Sequence, residues 1–335
     1  MLNKGLLKKD LRSSSLILTL FATLLFLIYP LRTILDLQHL RLMEQQDPMV
    51  FNNMTEYVVR DIFSGNILSF FPILLVVVLG GMLIGLERNT RRHDFSLSLP
   101  FSRRQLFLTK VMIGMSAIFI IFTVNMLLSY LLIWFSDYQD LLVQFEALEM
   151  YVIPVLAYMA TFAFTLFMGG ISGEMVSQIV LTFIFLVFPY GFSMLLLVFL
   201  DVHGLGHVQF ADEWIYLLLP AQIMGIGYYM DIHPLVYVFV SVTVLVISVG
   251  IGSLLYERSK AERNGEFILY AALKPVFFVA IVICFAMFGG MIFTFVGSVT
   301  GLTVLSYWLG AFIIGGIAYL ITRRLLDMNV TLKTN

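Results

Sequence analysis

Two histidines, His203 and His207 in VHGLGHVQF, have the i, i+4 spacing of a helical metal-ligand pair. Gly204 and Gly206 argue against the helix such a pair needs, and no HExxH pattern accompanies it. The lone cysteine, Cys284, lies in an apolar run, so no intrachain disulfide or thiolate metal site is expected. No GxxxxGK[ST] loop is present to cradle a nucleotide, no nucleophile elbow occurs, and no paired carboxylates sit within an apolar run. The chemistry that remains is charge. The stretch Glu87–Lys110, ERNTRRHDFSLSLPFSRRQLFLTK, sets Glu87 and Asp94 among Arg88, Arg91, Arg92, Arg103, Arg104 and Lys110, between two long hydrophobic runs. Charge of this density in a structured loop suits recognition better than reaction, so the sequence predicts a docking site for a partner protein. It predicts no catalytic residue, no resident cofactor and no metal ligand in this chain.

The elements that must position these charges are membrane helices. Hydrophobic residues make up 60% of the chain and charged ones 12%, far from the roughly 45–50% and 25% of soluble domains. The net charge of −1 argues against nucleic acid as a partner. A span needs about 20 apolar residues, and eight runs qualify, at 14–35, 67–86, 104–135, 150–170, 177–200, 233–255, 276–296 and 302–322. Their continuity excludes barrel strands, which alternate. The fold class is therefore an all-α polytopic membrane protein. The first run lacks an Ala-x-Ala exit and is expected to remain as an anchor. With the N-terminus inside, only Arg32, Arg41 and Arg60 of the 20 Lys and Arg residues fall outside, so both termini are expected in the cytoplasm.

Each loop then has its own character. Residues 1–13 read as an amphipathic surface helix, with Lys4, Lys8 and Arg12 on one stripe, or as a basic flank of the first span. Pro100 ends any preceding helix, while Ser102 and Gln105 form a capping box, with Phe101 and Leu106 as its staple, for a helix starting near Ser102. The turn GGISGEMVS, 169–177, carries a single acid, Glu174, either a partner contact or a solvated cap. Gly169 and Gly173 there, and Gly81 and Gly85 before it, have the spacing that permits close helix approach. A second charged loop occupies 256–275, followed by an extra two-span hairpin and tail over 276–335. The outer loops are acidic, and one holds a formal glycosylation triplet, Asn53-Met54-Thr55. The outer stretch 213–232 is apolar but interrupted by Pro220, Gly225 and Gly227. It is expected to be re-entrant or interfacial, with Trp214 and Tyr228 at the water boundary. The span interiors are nearly free of ionisable groups, which disfavours an ion-driven mechanism. Any energy for transport has to enter through another subunit.

The run GLERNTRRHDFSLSLPFSRRQLFLTKVM resembles the signature of exporter-like (ABC-2 type) ATP-binding-cassette transporter permeases. In that family an acidic residue at the end of span two precedes a coupling helix and a Leu-Pro-x-Ser-Arg turn. Here these fall on Glu87, Leu99, Pro100, Ser102 and Arg103. The later loop LLYERSKAERNGEFILYAALKP is similar to that of Ytr-like, acetoin-utilisation type permeases of Gram-positive bacteria, matching at Tyr256, Arg258, Glu262, Gly265, Leu273, Lys274 and Pro275. The resemblance implies a six-span permease core (14–255), pairing with a like or unlike permease in the bacterial plasma membrane, and a separate ABC ATPase that binds ATP and Mg. It implies docking of that ATPase on Glu87, Arg88, Arg91, Arg92, Asp94, Leu99, Pro100, Ser102, Arg103 and Glu174. It also implies an outer gate around Trp214, Pro220 and Tyr228.

The functional expectation is an ATP-driven exporter subunit for an amphiphilic peptide, antibiotic or lipid-like cargo, in line with multidrug or antimicrobial peptide resistance. The alternative is a sensor or scaffold that binds peptide or antibiotic outside and signals to a cytoplasmic partner. An intramembrane enzyme is the weakest reading, for want of catalytic pairs.

Overall fold

The computed structural model describes residues 4–46, 58–65, 67–89, 101–206, 215–225, 232–259 and 265–327. Eight helical segments are long and apolar enough to span a membrane: Lys9–Gln46, Val58–Asn89, Arg103–Trp134, Leu148–Ile171, Met175–Val202, Pro234–Arg258, Ala271–Val299 and Thr303–Arg324. The eight expected spans all appear, and their even number puts the two described ends of the chain on one side. That side, which carries the basic loops, is called the inner end below.

The first segment differs most from expectation. α1 (Lys4–Phe26) is a single helix that runs from the basic N-terminal stripe straight into the first span, so residues 4–13 belong to the same helix as the span. A wide π turn at Leu27–Leu31 then absorbs Pro30, and α2 (Arg32–Gln46) continues beyond it. A proline has no N–H to give and clashes with the preceding turn; a widened turn makes room for both. The 38 residues from Lys9 to Gln46 reach about 57 Å at 1.5 Å per residue, well past the ~30 Å apolar core of a bilayer.

The second span contains α3 (Phe70–Gly81), a π turn at Met82–Leu86, and a final helical turn over Glu87–Asn89. α4 (Arg103–Trp134) starts where the sequence places it. The Ser102 side chain accepts from the Gln105 N–H, and the Gln105 side chain accepts from the Ser102 N–H. Phe101 and Leu106 both join the core. α5 (Ile153–Ile171), α8 (Pro234–Arg258) and α9 (Lys274–Thr300) each open with proline in the first turn, where its missing N–H is harmless. α6 (Met175–Val202) and α10 (Thr303–Asp327) complete the set, and Gly301 closes α9 at φ 72°.

α5 is the hub of the packing. In its most apolar stretch 72% of residues are buried, against 6% in α6. Its Tyr158 and Phe162 are fully enclosed, as are Leu25 and Tyr29 of the first span and Phe107 and Phe122 of α4. Close approach is made by glycine. A Cβ on Gly114 would lie 1.9 Å from the Phe162 ring, and one on Gly85 would lie 2.4 Å from the Met175 Cα. The Gly81–Gly85 spacing is thus a true seam between the second and fifth spans. α9 and α10 pair tightly with each other and lean on α6.

On the outer side α7 (Leu219–Ile223) is a single buried turn of helix. Gln222 accepts a hydrogen bond from Ser241 at 2.8 Å, and Ile223 is fully enclosed. Pro220 sits in the first turn of α7 and starts a helix rather than breaking a hairpin. Trp214 and Tyr228, the other outer-gate candidates, lie outside the described residues, as do His207 and the Asn53 triplet.

Candidate functional site: a charged hub at the inner end

Three consecutive residues at the foot of the second span reach five other spans. Glu87 turns to the first and third. Its Oε1 accepts from Lys9 Nζ at 2.8 Å, and Lys110 Nζ lies 3.0 Å from Oε2 as an ion pair. Lys110 also lies 3.7 Å from Asp10 Oδ2. The side chains of Lys110 and Asp10 are only 4% and 5% exposed, and that of Glu87 is 10%. Two acids and two lysines therefore balance in charge, three of them nearly shut off from water and Lys9, 35% exposed, at the rim. Each charge would cost several kcal/mol to bury alone, so the group holds only as a unit. A narrow cleft lined by these residues, Thr109 and Tyr256 opens beside them.

Arg88 turns to the fourth and sixth spans. Its guanidinium donates to the carbonyl of Gly169 at 2.6 Å and to that of Ser172, and lies 5.7 Å from the centre of the Tyr256 ring. Those carbonyls belong to the C-terminal end of α5, where the helix dipole is negative, so a buried cation is well placed without a carboxylate. Asn89 turns to the fifth span, where its side-chain oxygen accepts from the Met175 N–H at 3.3 Å, at the start of α6.

The neighbouring inner segments close around the same point. Gly173 and Glu266 bond at 3.0 Å, Gly265 bonds back to Gly173 at 3.0 Å, and Leu269 bonds to Ile171 at 2.8 Å. The second charged loop is therefore stitched, backbone to backbone, onto the turn between α5 and α6. Arg103 donates to the carbonyl of Ser259, tying the start of α4 to the end of α8. Gln178, fully buried, donates to Gly80 at 3.1 Å and Thr165 at 2.9 Å, joining three spans one turn deeper.

The structure places part of the expected docking set inside the chain. Glu87, Arg88 and Glu174 are 8%, 4% and 2% exposed, so they face the inside of this chain and offer no surface to a partner in this conformation. Ser102 caps α4, and Arg103 is engaged with α8. Arg91, Arg92, Asp94, Leu99 and Pro100 lie outside the described residues. Sequence reasoning missed Asp10, Lys9 and Lys110 as members of the group. One signal was present: Asp10 is the single acid among the first 35 residues, and Lys110 stands two turns into an apolar helix. His203 also has another role than metal binding, since its ring takes the Trp308 indole N–H at 3.1 Å and meets the Phe199 carbonyl at 2.7 Å.

No protein-family model matches the sequence, and no solved structure matches it. Two curated proteins of Bacillus subtilis (strain 168) do. The chain is 26% identical over 322 residues, 92% of each chain, to one described as "Probable ABC transporter permease YtrC". It is 28% identical over 241 residues, 70% of this chain and 72% of the other, to "Probable ABC transporter permease YtrD". Similarity of this extent, on eight apolar helices, bears out the resemblance read from the motifs: the chain is similar to ABC transporter permeases and is a multi-pass protein of the bacterial membrane.

Proposed function

We propose that this chain is the membrane-spanning, non-catalytic subunit of an ABC exporter, driven by a separate ATPase that carries ATP and Mg. The observation that carries the reading is the triplet Glu87–Arg88–Asn89, whose side chains engage the first, third, fourth, fifth and sixth spans. A push on the segment that follows Asn89 is delivered to the whole six-span core at once. The ATPase docks on that segment, residues 90–100, with its neighbours on the inner face. A second permease, alike or different, completes the pore, and the cargo is an amphiphilic peptide, antibiotic or lipid-like compound.

The test is purification of the tagged chain from its native membrane in mild detergent, with ATP hydrolysis assayed on the eluate. A stoichiometric ATPase should co-elute, and scrambling residues 90–100 should release it while the chain stays inserted. Inside-out vesicles should then accumulate cargo only with ATP. Elution without an ATPase, under conditions that keep other membrane complexes whole, would move the assignment to a sensor or scaffold.

A further inference from the structure

Arg88 and Glu174 are both buried, carry opposite charges, and are each left short of partners. Arg88 is 4% exposed; Nη1 serves the two carbonyls, while among the described residues Nε and Nη2 have no acceptor. Of the five N–H groups of a guanidinium, three are therefore unused. Glu174 is 2% exposed, and its Oε2 has no donor among the described residues. It stands in extended backbone at the N-cap of α6, where the Ser177 N–H is near enough to favour its charged form but makes no well-aligned capping bond, so Oε2 stays without a donor among the described residues. The Met175 N–H next to it is taken by Asn89.

The two residues are held close together. Arg88 is bonded to Ser172, two positions before Glu174, and Asn89 is bonded to Met175, one position after it. Ser172 Oγ, also buried, likewise lacks a partner. Buried polar groups without partners are uncommon, and each costs about 1–3 kcal/mol, more when charged. The deficits are complementary and lie on two chain segments already in contact, so a second arrangement of those segments that brings the two side chains together satisfies both. Bistable contacts of this kind are how packed proteins turn small displacements into discrete steps.

We propose that Arg88 and Glu174 form an ion pair in the second conformation of the transport cycle, so that the contact between the end of the second span and the turn 172–174 is a latch with two positions. In the first position Arg88 holds the carbonyls of Gly169 and Ser172; in the second it holds the Glu174 carboxylate. The latch rests on the transporter reading, which supplies the second conformation. It also gives a content to the coupling: ATP-driven movement of residues 90–100 trades backbone acceptors for a carboxylate at the end of the second span.

The experiment is disulfide trapping in the intact permease–ATPase complex, with Cys284 replaced by serine and cysteines at positions 88 and 174. A non-hydrolysable ATP analogue should raise the cross-linked fraction several-fold. A second variant, Glu174→Gln, guards against a poorly folding double cysteine. It removes an unpaired buried acid from the first position and an ion pair from the second. Its melting temperature should therefore rise while its ATP-dependent transport falls about fivefold or more. Trapping indifferent to nucleotide in a complex that hydrolyses ATP normally would overturn the latch and leave the transporter reading standing. A Glu174→Gln variant that loses stability along with activity would also overturn it. Failure to find any co-purifying ATPase would remove both.

Discussion

The two ends of the molecule use the same kinds of ion pair in opposite ways. At the outer end Arg41 meets Asp137 at 2.8 Å, with side chains 59% and 79% exposed. At the inner end Lys9 meets Glu87 at the same 2.8 Å, with side chains 35% and 10% exposed, and Lys110 joins with only 4% of its side chain exposed. Distance alone would rank the two ends equal. The surroundings separate them, because Coulomb attraction and the penalty for an abandoned charge both grow as water is excluded. The Arg41–Asp137 pair joins a helix to a loop. The inner group joins spans, and cannot lose one member without stranding the others.

The largest test of that contrast is Lys110→Met. It leaves Asp10 and Glu87 buried with Lys9 alone, and the loss should be about 3–5 kcal/mol, read as a fall in melting temperature in detergent. Adding Glu87→Gln to Lys110→Met should recover part of it, since an acid and its cation are then removed together. A single variant as stable as the parent would show that water reaches the cluster and that the two ends are alike.

Next in size is the glycine seam that lets the inner group assemble. Gly85→Ala places a Cβ 2.4 Å from the Met175 backbone, which forces the second and fifth spans apart at a cost of about 1–3 kcal/mol. The control is Gly250→Ala in α8, where nothing lies within 4 Å of the new atom, and stability should hold. Equal losses at the two positions would mean that the seam has no special role.

The difference between the ends also explains what the sequence could reveal. The spans were legible because apolar runs of this length have one reading, and the start of α4 was legible because a capping box is local: Ser102 and Gln105 are three residues apart. The inner group was not. Glu87 finds its cations 78 residues before it and 23 after it, at Lys9 and Lys110, and no short motif encodes such pairs. Charge counting even misdirected the reading. A basic loop beside a membrane is normally solvated, so Glu87, Arg88 and Glu174 were assigned to the surface, whereas packing put them inside. The continuity of α1 into the first span was hidden for a related reason: the residues that face the neighbouring spans there are Asp10 and Ser14, while Leu11 stays exposed, so the buried side is not the apolar one.

A pH series sharpens the contrast at one residue. Burial holds the Glu174 carboxyl above its ordinary range. The Ser177 N–H at the start of α6 pulls the other way without restoring it. A carboxyl whose folded pKa is raised stabilises the fold in acid, and that contribution drains away as pH rises above the ordinary carboxylate range. Glu174→Gln does not titrate. Its advantage in melting temperature over the parent should therefore be large near pH 8 and vanish near pH 4. An advantage that stays constant with pH would mean that the acid is not the source.

The smallest effect is expected at the outer pair. Arg41→Ala removes an exposed ion pair and should change stability by no more than about 1 kcal/mol, less in high salt. The neighbouring contact makes this a fair comparison. Tyr138 donates to Glu44 at 2.7 Å and so also joins α2 to the loop after α4. Burial and that hydrogen bond push its phenol up to about 12, so the contact keeps its proton and survives throughout the physiological range. With Tyr138 still holding the two segments together, what Arg41→Ala reads is the worth of the exposed pair and nothing more. If it proves as damaging as Lys110→Met, exposure is not what divides the two ends. The long outer extension of the first helix would then have to be counted, with the inner group, among the parts on which the packing of the first six spans depends.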